Sequence, residues 1–309
     1  MNLIKPKFWD YKKPSFYSYI LWPISLIIKL LVLLKRKKKI IKKNIKTICI
    51  GNIYLGGTGK TSLAIKISNI LKKKNIKVCF IKKYYQNQTD EQNLLRENGK
   101  LFCEKNRIRA LNNAIDENYE VAIFDDGLQD YSINYDISLI CFNSKNWIGN
   151  GMTIPSGPLR QDLNILKKYN HIFINGKIEN YSEIENKTLK INPKIIIHKS
   201  KYVPINLNEF NIMDNYLVFS GIGNHKTFIG MLKDYGFKII KDLEFSDHYF
   251  YKNKDIEYIK DLSNKFNCKI ITTEKDYKRL DREKIKNIKF IKSELLIKDE
   301  QKLIKVILN

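Results

Sequence analysis

The stretch whose reading decides the fold is "CIGNIYLGGTGKTSLAIKI", residues 49–67. An apolar, strand-like lead-in runs into Gly56, Gly57 and Gly59, then Lys60 and Thr61, and an amphipathic helical pattern leads out. That is the setting a phosphate-binding loop demands. Glycines let backbone N–H groups turn inward around phosphate oxygens, and the helix N-terminus adds partial positive charge. One letter is unusual: the pattern G-x-x-x-x-G-K-[ST] asks for glycine where this chain has Tyr54. That position only starts the bend, and Gly56 and Gly57 stand where phosphates come closest. Tyr54, Leu55, Gly56, Gly57, Thr58, Gly59, Lys60 and Thr61 are therefore expected to hold ATP. Lys60 would reach the β- and γ-phosphates, and the Thr61 hydroxyl would ligate Mg²⁺. The alternative is a glycine turn before a helix whose Lys and Thr are ordinary surface residues.

Working outward from the loop, the pattern alternates between β and α. "KTICI" reads as a buried strand, residues 60–74 as a helix and "KVCFI" as the next strand. "YEVAIFDD" (119–126), "DISLICF" (136–142), "HIFIN" (171–175) and "KIIIHKS" (194–200) are apolar runs of strand length, with a helical segment at about 107–117. This is the signature of a doubly wound, mostly parallel α/β sheet. A second α/β unit runs from "YLVFSGIG" (216–223) through helices near 225–235 and 254–265, with "FKII", "CKIITTEKD" and "IKFI" as strands. The division expected is 1–45 as a membrane-associated helix with a basic segment, 46–205 as a P-loop kinase-like lobe, and 206–309 as a smaller α/β lobe. Both lobes are expected to be doubly wound α/β/α.

If the glycine loop holds nucleotide, a carboxylate should end a neighbouring strand and bind Mg²⁺ directly or through water. "EVAIFDDGLQD" supplies Asp125 and Asp126 at a strand's carboxyl end, where ligands bind in open α/β sheets. The competing reading is an acidic turn, since Asp-Gly favours turns anyway.

Composition sets the wider bounds. The 309 residues are 43% hydrophobic, enough for one large domain or two ordinary ones. Lys and Arg total 56 against 32 acids, a formal net charge of +24 that calls for an anionic partner. The abundance of Ile, Lys and Asn also suits an AT-rich genome, so local clustering says more than the total. The five cysteines are odd in number, lack C-x-x-C spacing and sit mostly in apolar runs, against a disulfide framework or a zinc site.

The clearest cluster is N-terminal. "PSFYSYILWPISLIIKLLVLL" (14–34) is strongly apolar, and "KRKKKIIKKNIK" (35–46) carries eight positive charges in twelve residues. No small-residue cleavage site follows, which argues against a signal peptide. At 100° per residue Ser18, Ser25, Lys29 and Arg36 share a narrow stripe, with Trp22 beside them and apolar residues elsewhere. The expectation is a helix lying in the membrane interface with its polar stripe toward water, and the basic run on anionic head groups. Its competitor is a helix packed on the protein's own core. Charge densest beside an apolar helix, without a stacking-aromatic module, argues against nucleic acid as the partner.

The motifs "GNIYLGGTGKT", "DDGLQD", "GNGMTIPSGPLRQDL", "FSGIGN", "FSDHYFY" and "TTEKD" occur in this order. Together they resemble the tetraacyldisaccharide 4′-kinase family, the lipid A 4′-kinases of Gram-negative bacteria, over most of the chain. That family also has a non-glycine residue where Tyr54 stands. The resemblance implies two α/β lobes with the active site between them. It implies transfer of the ATP γ-phosphoryl group, with Mg²⁺, to the 4′-hydroxyl of a tetraacylated glucosamine disaccharide 1-phosphate. The place implied is the cytoplasmic face of the inner membrane.

The resemblance makes His248, in "FSDHYFY", a catalytic residue alongside Lys60, and gives it Asp90 of "QTDEQNLL" as partner. An Asp that orients a His toward a hydroxyl is a standard way to place a general base. Glu91 beside it falls to the substrate, and Gln129 joins Thr61, Asp125 and Asp126 around the metal. Arg160 of "PSGPLRQDL" would hold a phosphate bidentately, or else pair with Asp162 as a loop arginine. His171 and His198 lie in strand-like runs, where a packed histidine is the plainer reading, and His225 belongs to a helix start. "TTEKD" caps a strand, with no role assigned to Glu274 or Lys275. The chain departs from the family where Ser-Arg-Gly-Tyr-Gly becomes "KKYYQ" (82–86), and where Asp130 replaces a common His after Gln129. The rival reading is a membrane-associated P-loop ATPase that couples hydrolysis to partner binding.

Overall fold

The computed structural model describes residues 5–34, 44–176, 181–247, 249–281 and 286–308. The chain divides into two compact units: Met1–Ser200 with Ile297–Asn309, and Lys201–Leu296.

The first unit is built on parallel strands β1 (Lys46–Gly51), β2 (Val78–Lys83), β3 (Leu101–Glu104), β4 (Val121–Asp125), β5 (Ile137–Asn143), β6 (His171–Asn175) and β7 (Ile196–Pro204). They lie in the order β7-β6-β5-β1-β4-β2-β3. The central strands are buried almost throughout, so they read as continuous apolar runs rather than alternating ones. From β1 the chain moves outward to β2 and β3, returns with β4, then builds β5 to β7 on the other side. The direction reverses at β1 and β4. In open parallel sheets the crevice at the strands' carboxyl ends lies at such a reversal. "GNIYLGGTGKT" follows β1 and "DDGLQD" follows β4, so topology alone brings the two motifs side by side.

Helices α2 (Lys60–Lys72), α3 (Thr89–Asn98), α4 (Arg107–Asp116) and α5 (Tyr181–Ile191) connect these strands. Helix α2 buries Leu63, Ala64, Ile67, Ile70 and Leu71, spaced i, i+1, i+4, i+7 and i+8 along one apolar stripe. Of the two histidines expected to be packed, His198 is buried and stacks on Phe173, with ring centroids 5.4 Å apart, and His171 is half-buried. Burial and the neighbouring His171 push the His198 pKa down to about 4. All five cysteines are free.

Helix α1 (Phe16–Leu34) corrects the expected orientation. Its polar stripe faces protein, not water. Ser18 accepts from Asn150 Nδ2 at 2.9 Å. Ser25 Oγ donates to Thr153 O at 3.0 Å and lies 2.7 Å from Ser156 Oγ. Lys29 lies 3.8 Å from Asp162. The reason is polar satisfaction: the loop at residues 150–156 carries donors and acceptors that the two serines meet. The apolar face is left outward, with Phe16, Ile20, Trp22, Ile27, Leu30 and Leu31 between 50% and 76% exposed. The helix is therefore not packed into the core either. No described helix is long and apolar enough to cross a membrane. Most of the basic run, residues 35–43, lies outside the described residues.

The second unit has a four-stranded parallel sheet from β8 (Asn215–Ser220), β9 (Lys238–Glu244), β10 (Lys269–Thr273) and β11 (Ile288–Ile291), ordered β11-β10-β8-β9. Helices α6 (His225–Asp234), α7 (Asn253–Lys265) and α8 (Glu274–Tyr277) complete it. Leu217 and Phe219 serve one apolar cluster and Tyr216 and Val218 the other, as strand alternation requires. The last helix, α9 (Glu300–Leu308), belongs to the first unit, where Glu300 pairs with Lys66 at 3.4 Å.

Candidate active site

The loop after β1 is anchored on one side and open on the other. Leu55 N donates to Pro158 O at 2.8 Å and Arg160 N donates to Ile53 O at 2.6 Å. These bonds lay residues 153–160 along the loop and bring Arg160 to it. Tyr54, the unexpected letter, is a buried wedge: its hydroxyl donates to Asp10 at 2.6 Å and accepts from Lys5. Asn52 Nδ2 holds the bend by donating to Tyr54 O at 2.6 Å. Gly59 sits at φ +85° as the N-cap of α2, and no side chain caps that helix. The first-turn N–H groups of an α-helix have no intrahelical partners, so an uncapped start beside Lys60 is a ready anion site.

Facing it is the end of β4. Asp125 is fully buried, and its Oδ2 accepts from Thr61 Oγ1 at 3.2 Å and from Lys82 Nζ at 2.6 Å. Its Oδ1 is buried with no hydrogen-bond partner among the described residues, as is Thr58 Oγ1. Asp126 adopts φ +62°, held by its N–H to Ile50 O at 2.8 Å and by Arg107 Nη2 on its carbonyl at 2.6 Å. The turn sends its carboxylate to Arg160 Nη1, at 3.1 Å from each oxygen, and to Lys60 Nζ at 3.8 Å. Burial works against the Asp126 charge, but Lys60 and Arg160 outweigh it and hold the carboxyl below the usual carboxylate range.

Gln129 donates to Asn52 O at 2.9 Å and accepts from Arg160 at 3.4 Å, tying the two loops together. Lys60, Thr61, Asp125, Asp126, Gln129 and Arg160 thus converge on one place. Arg160 turns to Asp126, whereas Asp162 caps the short helix Leu163–Lys168 by accepting from Asn164 N at 2.9 Å. Asp90 and Glu91 lie in the first turn of α3, and Glu91 pairs with Lys82 at 2.7 Å. His248, and with it the pairing expected with Asp90, lies outside the described residues.

Divalent-cation chemistry fits this donor set. A buried carboxylate oxygen without a partner stands beside a Thr hydroxyl and a second carboxylate, all hard oxygen donors.

Three residues escaped the sequence reading. Lys82 is 2% exposed and bridges Asp125 to Glu91. Burial opposes its charge, but the two carboxylates outweigh this and hold the ammonium above its ordinary range. The available signal was a charged residue ending an otherwise apolar strand, which needs a partner when buried. Arg107 bridges Asp126 O and Asp130, at 3.2 Å to the latter, so Asp130 has its own partner where the family commonly has His. Asn52 carried no signal at all. In the second unit, Asn224 caps α6 through Thr227 N at 3.0 Å. His225 instead turns its ring to Ser220 at 2.7 Å and Asp242 at 3.2 Å. Thr273 caps α8, and Asp276 of "TTEKD" binds Gly221 N at 3.0 Å.

Comparison with known proteins joins this geometry to a family. The family model described as LpxK, tetraacyldisaccharide-1-P 4′-kinase, matches residues 17–309. The tetraacyldisaccharide 4′-kinase of Pelagibacter ubique (strain HTCC1062) is 58% identical over 303 residues, 98% of this chain and 96% of that protein. The protein of the same name from Rickettsia akari (strain Hartford) is 34% identical over 300 residues, 90% of this chain and 88% of that one. In fold, the chain is similar to the crystal structure of LpxK from Aquifex aeolicus in complex with ATP. The TM-score is 0.63 at 21% identity, covering 94% of this chain and 96% of that one. With the family model spanning nearly the whole chain, the protein belongs to the tetraacyldisaccharide-1-P 4′-kinase family.

Proposed function

We propose that this chain is an ATP-dependent lipid kinase that phosphorylates the 4′-hydroxyl of a tetraacylated glucosamine disaccharide 1-phosphate, a step of lipid A biosynthesis. The observation that carries the reading is the convergence of Lys60, Thr61 and Arg160 with Asp125 and Asp126 at the uncapped start of α2.

Phosphoryl transfer asks a protein mainly for positioning and charge neutralisation. The amides at the start of α2 would receive phosphate oxygens, and Gly56 and Gly59, at φ +142° and +85°, give the backbone the turns this needs. Lys60 and Arg160 now neutralise Asp126; an incoming triphosphate would share these cations and place positive charge where it is needed in transfer. Thr61, Asp125 and Asp126 would hold Mg²⁺, with Gln129 at the edge of the set; the ion, when bound, would supply positive charge against that of the phosphates. Asp90 would orient His248, whose imidazole would take the proton of the acceptor hydroxyl. Glu91 is assigned to the acceptor side with them.

The acceptor's acyl chains call for a membrane surface, in this reading the cytoplasmic face of the inner membrane, and α1 suits it. Large apolar side chains left in water forfeit roughly 1.5–3 kcal/mol each relative to burial. With Ser18 and Ser25 fixed to the protein, the outward face would sink into the interface, and the basic run after it would meet anionic head groups. The domain reading follows: a membrane-associated N-terminus, a nucleotide lobe and a smaller α/β lobe.

The test is incubation with γ-labelled ATP and the tetraacylated disaccharide 1-phosphate. Label should pass to the lipid, and inorganic phosphate should be released slowly without it. Lipid-independent hydrolysis at the same rate, with no labelled lipid, would favour the membrane-associated ATPase.

A further inference from the structure

Among the described residues Lys82 is the only buried lysine. It is the last residue but one of β2, directly opposite Asp125 in the parallel register with β4. Its ammonium donates to Asp125 Oδ2 at 2.6 Å and to Glu91 Oε2 at 2.7 Å. The two carboxylates come from different elements, β4 and the first turn of α3, and converge on one cation as ligands converge on a metal. Asp125 is thereby divided: Oδ2 is taken by Lys82 and Thr61, while Oδ1 is buried and unpartnered among the described residues.

We propose that Lys82 is a positioning residue that acts as a built-in cation. It fills the space between Asp125 and Glu91 that a divalent ion would otherwise take, and leaves only Asp125 Oδ1 for the ion of the phosphate site. It also ties the first turn of α3, which carries Asp90, to the end of β4. An ammonium has three donors and no acceptor, so it neutralises both carboxylates but, lacking a lone pair, cannot itself ligate a metal. The consequence concerns order of entry. With Asp125 already half neutralised, the free protein holds divalent ions weakly, and the ion enters with the nucleotide. Removing the ammonium would leave two carboxylates confronting each other in a buried place, an arrangement that a divalent ion relieves.

The inference rests on reading Asp125 as a metal carboxylate. Its test uses neither nucleotide nor lipid, so it can fail while label transfer by the unaltered enzyme stands. The full chain in detergent, unaltered or carrying Lys82→Ser or Lys82→Arg, is titrated with Mn²⁺ alone. Free ion is followed by electron paramagnetic resonance, and the melting temperature is recorded with and without millimolar Mn²⁺. The unaltered chain and Lys82→Arg should bind weakly and melt at the same temperature either way. Lys82→Ser should bind Mn²⁺ about tenfold or more tightly, melt higher when the ion is present, and lose both gains when Glu91→Gln is added. If Lys82→Ser does not fold alone, Mn²⁺ should restore its circular dichroism and melting transition. An ordinary structural ion pair would cost the same stability with and without Mn²⁺. Wild-type-like Mn²⁺ affinity in Lys82→Ser, an unfolded variant that the ion fails to restore, or equally tight binding by Lys82→Arg would overturn the proposal.

Discussion

Residues 51–61 and 221–224 are two glycine-bearing turns on one plan, each leading from a buried parallel strand into a helix, yet they end differently. At the second, the protein meets its own groups. Asp276 binds Gly221 N at 3.0 Å and Tyr251 at 3.0 Å, Arg279 binds Gly221 O at 2.9 Å, and Asn224 caps α6. At the first, α2 starts on Gly59 with no side-chain cap, and Thr58 Oγ1 and Asp125 Oδ1 are buried without partners among the described residues. Strand, glycine turn and helix are therefore not enough to make an anion site. Polar groups must also be left unpartnered, and among the described residues Thr58 Oγ1 and Asp125 Oδ1 are.

Four substitutions break or sharpen that contrast, the largest expected effect first. Asp276→Ala removes the acceptor shared by Gly221, Tyr251, Thr273 and Arg279 and should cost about 3–5 kcal/mol, as removal of one partner from a buried ion pair does. Urea unfolding of the second unit would record it, and a loss under about 1 kcal/mol would mean the turn is not held this way. Lys60→Ala should lower kcat by about 10²-fold or more and leave the urea midpoint nearly unchanged. Near-normal turnover would remove the functional half of the comparison. Asn224→Ala should cost about 1 kcal/mol, a lost N-cap, with kcat preserved. A large loss of turnover at unchanged stability would give the second turn a direct role.

The smallest effect is a pH shift. Lys60 and Arg160 hold the Asp126 carboxyl below its usual range, so Asp126 stabilises the fold above about pH 4, its unfolded value. That contribution is lost as pH falls through the lowered folded value. Arg160→Ala raises the folded value, so acid unfolding should begin at higher pH, by less than about one unit. A midpoint that stays put or moves downward would show that Arg160 does not hold Asp126 in solution.

Much of the first turn was legible because it is local. Lys60, Thr61 and the glycines are contiguous, and Asp125 and Asp126 end an apolar run whose strand length is plain. Topology then joined the two motifs, since β1 and β4 are neighbours. Lys82 was legible only as a departure, "KKYYQ"; its meaning lies in the β2–β4 register, which no local pattern carries. Helix α1 was found but turned the wrong way. Periodicity says which residues share a stripe, and only the partners at residues 150–156 decide whether that stripe meets water or protein. In sequence Tyr54 reads as a residue that only starts the bend, while its hydroxyl fixes the loop to Asp10. Asp276 was hidden for the same reason as Lys82: its partners Gly221 and Tyr251 are 55 and 25 residues away.

The measurement that tests the contrast most directly is amide hydrogen exchange of the full chain in detergent, with and without a non-hydrolysable ATP analogue and Mg²⁺. The amide of Gly221, already bonded to Asp276, should exchange slowly in both states. The amides at residues 57–61 should exchange freely without nucleotide and slow about tenfold or more with it, as phosphate oxygens take them up. Unchanged exchange at residues 57–61 on addition of saturating nucleotide would contradict the assignment of the first turn as the phosphate site.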